Sequence, residues 1–168
     1  MTNNDNPNID ACSGADPAGE ITSETRALMA QIRRGMLRLH KAILTSEKAA
    51  YEKEKGPIAS PHALLELLMH DPWFGWFRPL SETVVQIDEM LDSADAASAA
   101  GQKPGTINPD RTSDKVPSEA DAQELLREVR SLLQPAETGE EFATKYRRIL
   151  QDDPDIILAH AELSKILA

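Results

Sequence analysis

The stretch "ITSETRALMAQIRRGMLRLHKAILTSEKAAYEKEKG", residues 21–56, decides the class of the fold. Its apolar residues recur at steps of three and four, a period that places them on one face of an α-helix. Thr22 or Ser23 is suited to cap the start of this helix, and Gly56 is suited to end it. The pattern predicts one amphipathic helix of about 33 residues, roughly 50 Å long, with a bend near Gly35. The predicted buried stripe consists of Leu28, Ile32, Met36, Leu39 and Ile43, widened by Leu37 and Leu44.

Helix signals continue after this stretch. Ser60 followed by Pro61 is typical of a helix start, and it predicts a short helix to about Met69. A further amphipathic helix is predicted from Pro79 to near Ser93, with four apolar residues on one face. These residues are Leu80, Val84, Ile87 and Leu91.

The segment "HDPWFGWFRPLS", residues 70–81, joins these two helices and holds both tryptophans of a chain that is only 4% aromatic. Asp71 and Pro72 suit the start of a helical turn, on which the rings share one face except Phe74 at its margin. The favoured interpretation is a packing plug at a sharp chain junction, because large rings bury large areas. The other interpretation is a docking surface, since Trp, Phe and Arg are common binding anchors. That surface would consist of Trp73, Phe74, Trp76, Phe77 and Arg78.

Composition divides the chain into four parts. Residues 1–20 are rich in Asn, Asp, Gly and Pro and predict a disordered tail. Residues 94–117 are rich in Ala, Ser, Gly and Pro and predict a flexible linker, mobile over 95–116. The linker separates an N-terminal helical segment, residues 21–93, from a C-terminal segment, residues 118–168.

The C-terminal segment contains three predicted helices, each with its own start signal. Ser118-x-x-Asp121 and Thr138-x-x-Glu141 have the spacing of capping boxes, and Asp153-Pro154 suits a third start. No useful β alternation occurs anywhere in the sequence. The sequence therefore predicts an all-α bundle of about six helices, with a long N-terminal helix, a mobile central loop and a C-terminal segment packed on the first.

Charge and cysteine content limit the possible partners. The 168 residues include 28 acidic and 18 basic side chains, a formal net charge of −10, which disfavours binding to nucleic acid. The one cysteine, Cys12, excludes an internal disulfide and suits a reducing compartment. Neither a secretory signal nor a run of about 18 apolar residues is present, so we expect a cytoplasmic protein that does not bind membranes.

The histidines raise one catalytic alternative. "HALLELLMHDPW", residues 62–73, resembles the His-Asp signature of metal-dependent HD-domain phosphohydrolases, and His40 supplies an earlier histidine. The resemblance implies a metal held by His40, His70 and Asp71, which would activate water. The Pro-Trp-Phe continuation departs from that signature, and the further Asp of those enzymes cannot be identified. No other zinc, di-iron or nucleotide motif occurs, so we expect no metal and no cofactor.

The segment "LLMHDPWFGWFRPLSETVVQID", residues 67–88, resembles a stretch found in a group of small uncharacterised bacterial helical proteins. Their pattern runs Asp-Pro-x-Phe-x-Trp-Leu-Arg-Pro-Leu-Ser, and Phe77 stands here in place of Leu. The resemblance covers about residues 25–93 and implies a helical fold in a bacterial cytoplasm, without an implied activity. The matching residues are Asp71, Pro72, Phe74, Trp76, Arg78, Pro79, Leu80 and Ser81.

Three functions are compatible with these patterns. The leading prediction is a non-enzymatic cytoplasmic protein that acts by protein–protein association, with itself, as in a homodimer, or with a protein partner. The first alternative is the HD-like hydrolase. The second is a helical sensor of a small ligand, with a pocket walled by Trp73, Trp76 and Met69.

Overall fold

The computed structural model of the chain describes residues 19–101, 116–135 and 141–168. Within these ranges the chain is all-α, as predicted, with one isolated β-bridge between Glu20 and Ser118. Seven helices are present in the described part, and they agree with the predicted bundle of about six because one of them, α3, is a single turn. They are α1 (Ser23–Lys55), α2 (Pro61–His70), α3 (Pro72–Gly75), α4 (Arg78–Ala100), α5 (Glu119–Leu132), α6 (Glu141–Asp152) and α7 (Pro154–Leu167).

The helices begin where the polar start signals lie in the sequence. The Thr22 side chain accepts a hydrogen bond from the backbone N–H of Thr25 at the start of α1, and Ser60 does the same for α2. Ser118 and Asp121 form a reciprocal capping box at α5, and Asp153 caps α7. These contacts confirm the predicted starts, because each cap satisfies backbone donors that the first helical turn leaves unpaired. The predicted box at Thr138 lies outside the described residues.

The core is one cluster built around α1, which packs along α7 and α4. The buried face of α1 follows the predicted stripe, with one further apolar residue and three exceptions. Met29 joins the core, whereas Leu28 and Leu44 are half-buried and Leu37 keeps 45% of its surface exposed. The buried residues of α1 are Thr25, Met29, Ile32, Gly35, Met36, Leu39 and Ile43.

The start of α1 is tied to the start of α5 by one carboxylate. Glu119 accepts hydrogen bonds from the Thr22 backbone N–H at 3.0 Å and from the Thr25 hydroxyl at 2.6 Å. The Glu119 N–H in turn donates to the Gly19 carbonyl at 2.9 Å. Burial would raise the pKa of Glu119, but the hydrogen bonds outweigh burial and hold the pKa below its usual value. The N-terminal and C-terminal helical segments are thus joined through a charge-assisted contact.

The fourth helix is longer than the sequence predicted. It continues to Ala100 rather than ending near Ser93, so the first residues of the predicted linker are helical. Alanine is the best helix former, and Ala94 and Ala97 are buried. Gly101 then ends the helix in the left-handed region, at φ +66°. Residues 102–115 of the predicted linker lie outside the described ranges, as does most of the predicted N-terminal tail, whereas Val116 and Pro117 at the end of the linker are buried.

No described helix combines the length and the apolar character that crossing a membrane requires.

Candidate functional site

Three of the four rings of the aromatic segment are buried, as its interpretation as a packing plug predicts. Phe74, Trp76 and Phe77 keep 2%, 4% and 2% of their surfaces exposed, whereas Trp73 is half-buried. The predicted shared face was wrong in one respect, because Phe74 lies in the core and Trp73 lies at the margin. The reason is that α3 ends at Gly75, so the rings that follow lie in a turn and not on a continuous helix.

Ring contacts extend from this segment across the bundle. Tyr51 of α1 lies 5.4 Å from Phe74, and Trp76 lies 5.5 Å from Phe77, measured between ring centroids. Trp76 also contacts Phe142 of α6 at 5.8 Å. Such edge-to-face and tilted pairs add stability beyond the area they bury. The segment therefore fixes α6 to the junction between α2 and α4.

A half-buried carboxylate, Glu47 of α1, lies beside the two indoles. Burial raises the pKa of Glu47, and the N–H groups of Trp76 and Trp73 and the charges of Lys145 and Arg148 partly offset this effect. The Trp73 Nε1–H is buried and makes no hydrogen bond of normal length and angle in the described residues. Its interaction with Glu47 is therefore electrostatic, without a full hydrogen bond.

A cavity of about 610 Å³ lies on the other side of the aromatic segment, between α1, α2 and α4. We call it the α2 cavity. Its floor consists of buried Phe74, Phe77 and Val84, and its upper wall includes Leu68 and Met69 of α2. A concave, mostly apolar site of roughly 300–1,000 Å³ is typical of small-molecule binding in proteins. The α2 cavity has the size and lining of such a site.

The wall formed by α2 is unusual because this apolar helix has no buried residue. Leu65 and Met69 keep 53% and 58% of their surfaces exposed. Across the cavity, Leu37 of α1 is also exposed, because α2 does not close over it. Val85 of α4, four residues beyond the cavity-lining Ser81, is also about half exposed. Leu37 and Met69, which line the cavity, are thus exposed apolar side chains, and Leu65 and Val85 are further exposed apolar residues on α2 and α4.

Two neutral polar groups lie in the α2 cavity. His40 Nε2 is 2.9 Å from Ser81 Oγ, and the His40 ring contacts Phe77 edge-on at 5.6 Å. Burial lowers the pKa of His40, so the imidazole is neutral at pH 7. A neutral imidazole carries one proton, so this contact uses either the His40 N–H or the Ser81 hydroxyl as donor.

One ionised group, the Arg78 guanidinium, also lines the α2 cavity. Its Nη2 donates to the Met69 carbonyl at 3.3 Å and thereby links α4 to the last turn of α2. No acidic side chain of the described residues lines the cavity, and none forms an ion pair with Arg78. The cavity therefore carries a positive charge in a strongly acidic protein.

The structure does not assemble the predicted HD-like set. His40 lines the α2 cavity, whereas His70 and Asp71 line a different depression beside Tyr51. Asp71 caps α3 by accepting a hydrogen bond from the Trp73 N–H at 2.8 Å. Among the described residues, no three His, Cys, Asp or Glu side chains are close enough to hold a metal ion together. The Asp-Pro pair therefore has the capping role that its sequence also indicated.

The predicted sensor pocket is displaced from its expected walls. Met69 does line the α2 cavity, but Trp73 and Trp76 lie on the far side of the segment, towards Glu47. Leu37 and Ser81 belong to the site and were not predicted. A signal for the cavity was present in the sequence "ALLELLM", residues 63–69 of α2, which is apolar on more than one helix face. A short helix of this kind has more apolar surface than one core contact covers.

Comparisons of the chain with protein-family profiles, with curated proteins and with solved structures find no match. The resemblance of residues 25–93 to a bacterial helical group stays a prediction. The geometry of the α2 cavity is consequently the basis for a functional proposal.

Proposed function

We propose that this chain is a non-enzymatic binding protein that holds a small apolar ligand in the α2 cavity. The observation that carries the proposal is the mostly apolar cavity of about 610 Å³ between α1, α2 and α4. It corresponds to the sensor interpretation of the sequence, with the pocket on the opposite side of the aromatic segment. Ligand pockets commonly lie between the helices of bundles and have few polar groups in an apolar lining.

The exposure of α2 supports this proposal energetically. Leu65 and Met69 are more than half exposed on a helix whose closest backbone neighbour is the single turn α3. Contiguous apolar surface of this kind marks a binding site more often than an ordinary surface. Each buried Å² of apolar area contributes about 25 cal/mol, so a ligand that covers the mouth gains affinity from the same side chains.

The polar pair in the cavity suits binding better than catalysis. Ser81 and neutral His40 have the spacing of a nucleophile and its base. In the Ser-His-Asp arrangement a third group orients the base. The described residues place no hydrogen-bond partner on His40 Nδ1, so we assign the pair to the architecture of the pocket.

Isothermal titration calorimetry with decanol, a neutral probe, tests the proposal. We expect saturable binding to the full chain, one ligand per chain, with a negative heat-capacity change because apolar surface is buried. Met69→Asp places a charge at the cavity mouth and is expected to weaken binding at least tenfold, since a charge in an apolar contact is costly. Leu158→Asp is the matched control, because Leu158 is similarly exposed at 63% but lies on α7. Absence of saturable binding, or equal losses in both variants, would contradict the proposal.

A second candidate function is association with a protein partner or with another copy of the chain. The observation that favours it is a pair of adjacent exposed apolar residues on α7, Ile157 and Leu158, which keep 44% and 63% of their surfaces accessible. Sedimentation equilibrium of the full chain and of Leu158→Asp tests it. A concentration-dependent dimer that the substitution disrupts supports association through α7. If the chain is a monomer at every concentration, self-association is excluded. A protein partner is then sought, with Leu158→Asp as the control variant.

A further inference from the structure

The charge of the α2 cavity contrasts with the charge of the protein. The sequence has 28 acidic and 18 basic residues, yet no acidic side chain of the described residues lines this cavity. With His40 neutral at pH 7, Arg78 supplies the one formal charge of the lining. Arg78 is an exposed residue without an ion-pair partner among the described residues, so its charge is available to a ligand that reaches the cavity mouth. The lining is therefore complementary to an apolar molecule with one negative charge.

Arg78 retains donors for such an anion. A guanidinium has five N–H groups, and the described contacts use one of them, on the Met69 carbonyl. Its planar arrangement matches a carboxylate with two parallel hydrogen bonds. Ser81 lies three residues after Arg78 and lines the same cavity, so both side chains reach the mouth from one face of α4. When His40 Nε2–H donates to Ser81, the Ser81 hydroxyl proton is available for a second acceptor atom of the ligand.

The number of charges favours a carboxylate over a phosphate. A phosphate monoester carries close to two negative charges at pH 7 and is usually bound by several cations or backbone amides. The α2 cavity offers one guanidinium and one hydroxyl. A monoanion balances this set, and the remaining surface is the apolar floor of Phe74, Phe77 and Val84.

We propose that the ligand of the α2 cavity is a single-chain amphiphile with a carboxylate head, which the Arg78 guanidinium binds at the mouth while the hydrocarbon chain lies on the apolar floor. This inference rests on the proposed function and adds the chemical class of the ligand. It assigns Arg78 as the residue that determines specificity for the head group. The exposed Met69 of α2, which lines the cavity, then covers the part of the hydrocarbon chain nearest the mouth.

The test compares three probes with the same ten-carbon chain and different head groups, the ionic ones below their micelle concentrations and the neutral one below its solubility limit. These are decanoate, decanol and decyltrimethylammonium, titrated into the full chain by calorimetry at pH 7 and low salt. We expect decanoate to bind about tenfold more tightly than decanol, the ratio for one exposed charge-assisted pair, and the cation to bind weakest. Added salt is expected to reduce the advantage of decanoate and to leave decanol unchanged.

Substitutions of Arg78 test whether this residue causes the preference for the carboxylate head group. Arg78→Gln is expected to lower decanoate affinity to that of decanol, and Arg78→Lys to restore part of it, because Lys keeps the charge without the planar fork. Arg127→Gln removes one positive charge from an exposed arginine of α5 and is expected to change nothing. Circular dichroism of each variant checks that the helices are intact.

The possible outcomes separate this inference from the proposed function. Equal binding of decanoate and decanol to the native chain overturns the inference and leaves the proposed function standing. A preference for decanoate that persists in Arg78→Gln also overturns the inference, because a group other than Arg78 then binds the carboxylate. If decyltrimethylammonium binds more tightly than the other two probes, the inference is likewise overturned. If none of the three probes binds, the inference and the proposed function both fail.

Discussion

Leu163 of α7 packs directly onto Gly35 of α1. A methyl group built on Gly35 would lie 2.8 Å from Leu163 Cδ1 and 3.5 Å from Leu163 Cβ. Both residues are buried, and α1 and α7 form the most extensive helix pair of the described structure. The glycine therefore allows the two helices to approach closely at the centre of the bundle.

The first prediction concerns this contact. Gly35→Ala gains about 1 kcal/mol of helix propensity but overpacks Leu163, at a cost of about 1–3 kcal/mol, so the net effect is a modest loss of stability. Leu163→Ala alone is expected to cost about 2–5 kcal/mol, because it leaves a cavity in the core. In the double variant the new methyl group occupies part of that cavity, and the loss is expected to be smaller than the sum. Urea unfolding of all four proteins measures the coupling energy.

A control for this prediction is Gly75→Ala. Gly75 has no neighbouring atom within 4 Å of the position of an added methyl group, so this substitution is expected to be neutral or slightly stabilising. Strictly additive losses at Gly35 and Leu163 would show that the close approach does not limit the packing of α1 on α7.

The Gly35 contact also illustrates what the sequence could predict. The helix starts were predictable, because Ser60, Ser118 and Asp153 satisfy local backbone donors and local geometry suffices. Gly35 was expected to bend its helix, and its role against Leu163 depends on a residue far away in sequence. The local sequence pattern does not indicate which helix packs against Gly35 or which residue of that helix contacts it. Such close approaches are therefore visible only in the assembled bundle.

The candidate site was less predictable than the fold. The burial of most rings of the aromatic segment was predictable, because its ring content and proline signals are local. The α2 cavity depends instead on how α2 is placed over α1 and α4, and this placement leaves Leu37 exposed. His40 and Ser81 meet across 41 positions of sequence, so their contact has no local signature.

The second prediction concerns the packing plug. Trp76→Ala is expected to cost about 3–5 kcal/mol, the usual range for a buried aromatic, because Trp76 is 4% exposed and contacts Phe77 and Phe142. Trp73→Ala is expected to cost clearly less, since Trp73 is half-buried. Equilibrium unfolding in urea, followed by circular dichroism, compares the two. If both variants keep full stability but lose association or ligand binding, the rings are a docking surface and the packing assignment is wrong.

The third prediction concerns Asp71. Its side chain accepts the Trp73 N–H, so Asp71→Asn is expected to cost well under about 1 kcal/mol, because Asn caps a helix about as well as Asp. Asp71→Ala is expected to cost about 0.5–2 kcal/mol by loss of the same hydrogen bond. Thermal unfolding measures both, and elemental analysis of the purified protein adds an independent check. Stoichiometric metal that disappears in Asp71→Asn would overturn the capping role and favour the HD-like alternative.

The fourth prediction concerns acid pH and starts from the contact of Tyr146 with His160. The Tyr146 hydroxyl lies 2.7 Å from His160 Nδ1. Burial raises the pKa of Tyr146 and lowers the pKa of His160, so a neutral hydroxyl meets a neutral imidazole, and either the Tyr146 O–H or the His160 Nδ1–H is the donor. When the Tyr146 O–H is the donor, the His160 proton is on Nε2, where Ser164 Oγ lies 3.4 Å away. Burial also lowers the pKa of His40, so two histidines are held neutral by the fold.

The sign of the pH effect follows from proton uptake. The unfolded chain protonates these histidines near their ordinary value of about 6.5, whereas the folded chain protonates them only at lower pH. Between these values the unfolded state binds more protons, so the stability present above about pH 6.5 is lost as the pH falls. Burial raises the pKa of the Glu47 carboxyl, so protonation of Glu47 favours the folded state as the pH falls. This opposite effect occurs closer to the ordinary pKa range of carboxyl groups. We therefore expect the loss to begin just below pH 6.5.

Urea unfolding at a series of pH values from 8 to 5 measures this slope in the native chain and in His40→Gln/His160→Asn. The two amides keep an acceptor near the positions of His40 Nε2 and His160 Nδ1 but do not titrate, so the double variant is expected to show a flatter slope. His62→Gln is the matched control, because His62 is exposed on α2. Equal slopes in the native chain and the double variant would contradict the assignment, since the pH dependence would then arise from other groups.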